Sequence, residues 1–143
     1  MMAMAYGNVY VASVAMGANY EQYLKVLKEA ESYPGPSIII AYAPCINHGI
    51  KAGMANAMNE MKRAVECGYW TLYHYDPRRT EQGLNPLVLD CKEPEGDYQE
   101  FLDGEVRFAT LAKSFPEEAA KLDKEAALEA KARYLKYKKL AEG

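Results

Sequence analysis

Cysteine is scarce in this chain. Three in 143 residues, Cys45, Cys67 and Cys91, are too few and too odd in number for a disulfide framework, and no two are spaced C-x-x-C. Reduced thiols are expected. Histidine is rarer still: only His48 and His74 are available to join those distant thiols, so a self-contained zinc module is not expected. Positive charge is not in excess either. A formal net charge of -3 and a pI near 5.5 leave no basic surface to neutralise phosphates, so no nucleic-acid partner is expected. No stretch approaches the roughly 18 consecutive apolar residues of a membrane span, and the residues from Met1 lack the basic start and small-residue cleavage site of a signal peptide. No membrane partner is expected, and a cytoplasmic protein is the simplest reading. Walker loops, G-x-G-x-x-G, H-E-x-x-H, internal repeats and low-complexity linkers are all missing.

What remains is an ordinary globular composition, 50% hydrophobic and 26% charged, long enough for one substantial core. Met1 to Tyr6 reads as the last turns of a helix stopped at Gly7-Asn8. Val9 to Met16 and Ser37 to Tyr42 are short, nearly continuous apolar runs and predict strands buried on both faces. Between them Asn19 caps a helix whose apolar face is Tyr20, Tyr23, Leu24 and Leu27, ended by Pro34-Gly35-Pro36. A second helix carries Ile50, Met54, Met58, Met61 and Val65 on one stripe and stops at Gly68. Trp70 to Tyr75 and Leu87 to Leu89 complete the strands, separated by the turn Asp76-Pro77-Arg78-Arg79. This alternation predicts parallel pairing with right-handed crossovers. Residues 1–91 thus read as a partial α/β domain, and residues 92–143 as a helical tail of two helices. The tail's capping boxes are Asp97 with Glu100 and Ser114 with Glu117.

The stretch Ala43-Pro44-Cys45-Ile46-Asn47-His48-Gly49 follows a strand, where open parallel sheets bind ligands. A cysteine beside a helix N-terminus has a stabilised thiolate, so Cys45 reads as a nucleophile, a metal ligand or a small packing residue. Pro44 and Gly49 shape the turn. His48 is a base only if the loop brings it to Cys45, and no orienting acid is near in sequence, so a cysteine hydrolase ranks last. His74 and the tyrosines read as structural, Cys67 and Cys91 as packing residues, and Arg78-Arg79 as a solvated turn.

The residues from Met1 through NYEQYLKVLKEAESYPGPSIIIAYAPCINHGI, then KRAVECGYWTLYHYDPR, NPLVLDCKEP and FLDGEVRFATLAKSFPEEA, resemble the C-terminal thiamine-pyrophosphate-binding domain of single-chain pyruvate:ferredoxin (flavodoxin) oxidoreductases. The resemblance covers essentially the whole chain. It implies a truncated three-layer α/β domain of the thiamine-diphosphate-binding type, with a mostly parallel sheet and a helical C-terminal tail. Such enzymes oxidatively decarboxylate pyruvate with coenzyme A, using thiamine pyrophosphate, magnesium and 4Fe-4S clusters that reduce ferredoxin or flavodoxin. The resemblance makes Cys45 the last of four ligands to the cluster nearest the thiamine, with Pro44, Asn47 and Gly49 shaping its loop. The other three cysteines, and the G-D-G motif that holds the metal and pyrophosphate, lie upstream of the counterpart of Met1. The isolated chain is therefore expected to bind none of these cofactors, to be inactive, and to use an unpaired sheet edge for the rest of the oxidoreductase or for homo-oligomers. The alternative is a stand-alone, non-catalytic α/β binding or scaffold module.

Overall fold

The computed structural model describes residues 1–143, organised around one four-stranded sheet. Tyr10–Val14 (β1), Ser37–Ala41 (β2), Tyr73–Tyr75 (β3) and Leu87–Leu89 (β4) lie in the order β2-β1-β3-β4. The helices are Tyr20–Ser32 (α1), Ala57–Glu66 (α2), Arg78–Glu81 (α3), Tyr98–Gly104 (α4), Val106–Ser114 (α5) and Pro116–Glu142 (α6). Alternation along β1 sends Tyr10, Ala12 and Val14 to one face, where they pack on Val26 of α1. Val9 and Val11 face the opposite side with Tyr73 and Leu87, under the 3-10 turn Ala3–Tyr6 and Tyr137 and Ala141 of α6. Helical layers on both faces make the fold a three-layer α/β one.

Local signals act as their chemistry predicts at several boundaries. Asn19 Oδ1 accepts from the Gln22 N–H at 2.9 Å and starts α1. Asp97 Oδ1 accepts from the Gln99 and Glu100 N–H groups and starts α4. Gly68, with φ +82°, ends α2 in the left-handed conformation that glycine adopts without strain.

Four expectations are corrected. First, β1, β2 and β4 point the same way, but β3 runs antiparallel to both its neighbours, so the sheet is mostly but not fully parallel. The segment after β2 never crosses back over a face: α2 lies beyond the carboxyl ends of the strands, packed on α4. Trp70 Nε1 donates to the Val14 carbonyl and Ser13 Oγ to the Thr71 carbonyl, so the chain returns through the end by which it left. Second, β2 is not buried on both sides. Ile39 packs beneath α1, but Ile38 and Ile40 are 44% and 46% exposed because α6 covers β4 and stops short of this edge.

Third, of the apolar residues expected to bury α1 only Tyr23 packs on the core: Tyr20, Leu24 and Leu27 are exposed, while Gln22 and Val26 turn inward. Gln22 is held by polar partners, since its Nε2 donates to Asp90 at 3.0 Å and to the Ser13 carbonyl at 3.3 Å. The same carboxylate takes Nδ1 of the buried His74 at 2.8 Å, and Tyr10 OH donates to Glu29 at 2.8 Å. His74 is thus structural. These bonds dock α1 as a hydrophobic seam would and pair most of the polar groups brought inside, although Gln22 Oε1 is left without a partner. Fourth, the tail holds three helices, because Glu105 adopts an extended conformation and splits α4 from α5. Ser114 lies within the last turn of α5, so its box with Glu117 does not form, and Phe115 precedes α6 with no side-chain cap.

Gly17 fixes how α2 meets the sheet, for a Cβ there would overlap the Met58 carbonyl. A Gly17→Ala substitution is expected to destabilise the chain by about 1 to 3 kcal/mol, the usual cost of forcing extra volume into a packed contact. Urea unfolding followed by circular dichroism measures it; an unchanged midpoint contradicts the packing described.

Candidate metal-ligand loop

The loop that carries Cys45 is framed by hydrogen bonds at both ends. Tyr42 leaves β2 with its N–H donating to the Val14 carbonyl at 2.9 Å. Its ring then inserts between Tyr69 and Trp70, with centroids 5.9 Å and 5.5 Å away, and its hydroxyl donates to Glu105 Oε1 at 3.2 Å. Burial, and next the Glu105 carboxylate, raise the Tyr42 pKa, so the phenol stays protonated and acts as a donor. Beyond Pro44 the chain closes a turn in which the Gly49 N–H donates to the Cys45 carbonyl at 2.9 Å, with Gly49 at φ +73°.

The far side of the loop is tied to the break between α4 and α5. The Lys51 N–H donates to the Gly104 carbonyl at 2.9 Å, the Val106 N–H to the Gly49 carbonyl at 3.3 Å, and Ile50 pairs with Glu105 as an isolated antiparallel bridge. Ile50 is buried, whereas Cys45 and Ile46 are exposed, Ile46 by 78%. The loop is therefore a fixed base with a solvent-facing tip, and the tip carries the thiol.

Two parts of the sequence reading change here. The helix expected directly after Cys45 begins only with the 3-10 turn Met54–Asn56 and α2, so the thiol does not sit at the start of that helix. No hydrogen bond joins His48 to Cys45, and both side chains are exposed, so the pair has no base-nucleophile geometry. The crevice at the carboxyl ends of β1 and β4 is also elsewhere. This cavity of about 690 Å³ is lined by Asn19, Leu72, Asp90, Cys91 and neighbours, and Cys45 is not among them.

The other two thiols are occupied within the fold. Cys67 Sγ donates to the Ala64 carbonyl, and burial pushes its pKa up to about 11. Cys91 Sγ donates to the Leu72 carbonyl, and burial raises its pKa as well. No group of three or more His, Cys, Asp or Glu side chains converges on a point where a metal ion would sit. A four-iron cluster takes four thiolates, so the donors of this chain fit one corner of such a cluster and no more. Gln22, Glu60 and Glu105 are buried polar residues that sequence reasoning missed, with Glu29 and Asp90 half-buried as partners of Tyr10 and Gln22; for Gln22 and Glu60 the only signal was their place on the inward face of a helix.

A thiol-labelling experiment checks this division. Iodoacetamide at neutral pH is expected to modify the native chain rapidly at one site, Cys45, and at all three cysteines after denaturation, as read by peptide mass spectrometry. Equal labelling of Cys67 in the native chain contradicts the packing.

No protein-family model matches the chain. Curated relatives do match along nearly its whole length. It is 57% identical over 143 residues to pyruvate:ferredoxin oxidoreductase of Moorella thermoacetica, covering 100% of this chain and 12% of that protein. It is 54% identical over 141 residues to pyruvate-flavodoxin oxidoreductase of Klebsiella pneumoniae, covering 99% of this chain and 12% of the relative. It is 48% identical over 142 residues to the mitochondrial pyruvate dehydrogenase (NADP(+)) of Euglena gracilis, covering 99% of this chain and 8% of that protein. The chain thus spans about an eighth of the length of the first two relatives, at 12%. The chain therefore belongs, as the counterpart of one segment, to the pyruvate:ferredoxin and pyruvate-flavodoxin oxidoreductase family.

Proposed function

We propose that the chain works as part of a pyruvate:ferredoxin (flavodoxin) oxidoreductase, whose assembled form oxidatively decarboxylates pyruvate to acetyl-CoA and passes the electrons to ferredoxin or flavodoxin. The observation that carries this reading is the 57% identity along the entire chain. Thiamine pyrophosphate, magnesium and 4Fe-4S clusters belong to the assembled enzyme, and no residue of this chain is assigned to the thiamine. Cys45 is the exception among the donors. An exposed thiol on a tied loop is the kind of group that completes a cluster held mainly by another segment. Pro44, Asn47 and Gly49 shape that loop. The relatives' names give ferredoxin, flavodoxin or NADP(+), which suggests that this segment does not choose the electron acceptor. Unpaired cysteines accord with a reducing compartment such as the cytoplasm, and no helix is long and apolar enough to cross a membrane.

The rest of the oxidoreductase is the partner that suits the exposed edge. Glu29 and Ser32 lie on the β3 side of α1, where they meet His74 and Arg78, so the opposite flank, with Tyr20, Leu24 and Leu27, overhangs β2. Ile38 and Ile40 add an apolar strip on the other face of the same edge. An unpaired β2 backbone bordered by five large apolar side chains is a surface that another strand and its covering helix would bury.

Two measurements test this. The isolated chain, given pyruvate, coenzyme A and oxidised ferredoxin, is expected to give no ferredoxin reduction; turnover would overturn the proposal. In the assembled oxidoreductase, Cys45→Ser is expected to lower bound iron by about four atoms per chain, the content of one cluster. Unchanged iron and activity exclude Cys45 as a ligand. The isolated chain is also expected to self-associate through its open edge, with Ile38→Lys shifting the mass measured by light scattering toward the monomer. A monomer at every concentration sinks that expectation.

A further inference from the structure

Two buried carboxyls meet beneath the Cys45 loop. Glu60 comes from α2 and Glu105 from the break between α4 and α5, and each is 2% exposed. Glu60 lies against Gly104, where a Cβ would sit 3.2 Å from Oε1, and that oxygen has no hydrogen-bond partner. Glu105 accepts from Tyr42 OH at 3.2 Å and has Arg107 Nε 3.3 Å from Oε2, an ion pair whose N–H is not directed well enough to count as a hydrogen bond.

The charges facing this pair come from every neighbouring element. Arg63 of α2 stands 3.9 Å from Glu60 and 3.7 Å from Glu100 of α4, Arg107 of α5 also donates to Tyr69 OH, and Tyr42 comes from the loop itself. Arg63 is half exposed, so its screening of Glu60 is weak. Two neighbouring carboxylates in a dry site disfavour double ionisation, and one of them then keeps a proton. Glu60 is the one without a donor. Burial, then the Glu105 charge, raise its pKa above the ordinary glutamate range, against the opposing effect of Arg63.

We propose that Glu60 is a positioning residue for Cys45: buried without a donor beside the Glu105 carboxylate, it is kept neutral, and as a neutral acid it leaves the Gly104–Val106 strip closed on Gly49 and Lys51. Ionisation of Glu60 places two carboxylates beneath the strip. Their repulsion loosens the Lys51–Gly104 and Val106–Gly49 hydrogen bonds, and with them the base that aims the thiol. The sign follows from linkage. With Glu60 raised, the folded chain holds a proton that the unfolded chain has released, so the contribution of Glu60 to stability is greatest at low pH and falls as pH climbs through the raised value. The purpose of this latch rests on the reading of Cys45 as a cluster ligand; its geometry does not.

Amide hydrogen exchange on the 143-residue chain tests the latch. After correction for intrinsic rates, protection of the Lys51 and Val106 amides is expected to fall at least about tenfold between about pH 5 and about pH 8. In Glu60→Gln, which imitates the protonated acid at every pH, protection is expected to change less than about twofold across that range. Glu105→Gln keeps an acceptor for Tyr42 but removes the charge, and should flatten the profile likewise. Tyr42→Phe lowers protection equally at both pH values. Identical profiles in the native chain and Glu60→Gln, or a full pH response surviving in Glu105→Gln, overturn the proposal. The Cys45→Ser chain retains the exchange profile whether or not Cys45 binds iron, so failure of the latch and failure of the cluster reading are read separately.

Discussion

The arrangement depends on one place where a helix gives way to a loop. Had the segment from Tyr98 continued helically, Gly104, Glu105 and Val106 would have spent their backbone groups within the helix. Instead Glu105 turns extended, and this strip bonds Gly49 and Lys51 on the loop that follows β2. Each bond is worth only about 1 kcal/mol net, but all of them act on the same few loop residues. The break also turns the chain so that α5 and α6 pack on one another and α6 returns to the sheet. Tyr137 of α6 stacks on Tyr73 at 4.7 Å, and Arg133 donates to the Tyr69 carbonyl at 2.9 Å. Loop, tail and sheet are thereby one connected unit.

A cluster of rings fills the space between them. Phe101 and Leu102, both fully buried, pack against Tyr42, Tyr69, Trp70 and Phe108, with Tyr69 and Phe101 centroids 4.8 Å apart. Large rigid side chains suit this position because they cross the gap between α4 and the carboxyl end of the sheet without flexible stems that would have to be ordered. The cost of the design appears beneath the loop, where Glu60 and Glu105 are buried together and one carboxyl oxygen is left unpaired. Buried charge of this kind seldom serves stability.

On the opposite edge the sheet is open. α6 covers β4 and α1 covers β1, but neither closes over Ile38 and Ile40. The chain matches 12% of the length of one relative with 57% identity, and in the proposed function this edge is where the rest of the oxidoreductase would pack. The exposed isoleucines and leucines are intelligible in those terms, and the open β2 backbone lies among them.

Much of the fold was legible in the sequence wherever a signal is local. The Asn19 and Asp97 caps, the Gly68 stop and the β1 run are decided by side chains bonding their own backbone or by an unbroken apolar segment. Of the candidate site, the sequence marked Cys45 and the glycine that turns its loop, because a lone cysteine after a strand and a Gly at positive φ are local features. Strand direction at β3, the exposure of β2 and α1, the distance between Cys45 and the next helix, and the meeting of Glu60 with Glu105 were not legible. Each depends on what lies across space: where α2 packs, how far α6 reaches, which residues bond the loop. The sequence alone determined the four strands and where α1 and α4 start and α2 stops, through unbroken apolar runs, caps and a glycine. Only the tertiary structure decided which faces are covered and which carboxyls are neighbours, because burial and electrostatic coupling belong to pairs of elements that are far apart along the chain.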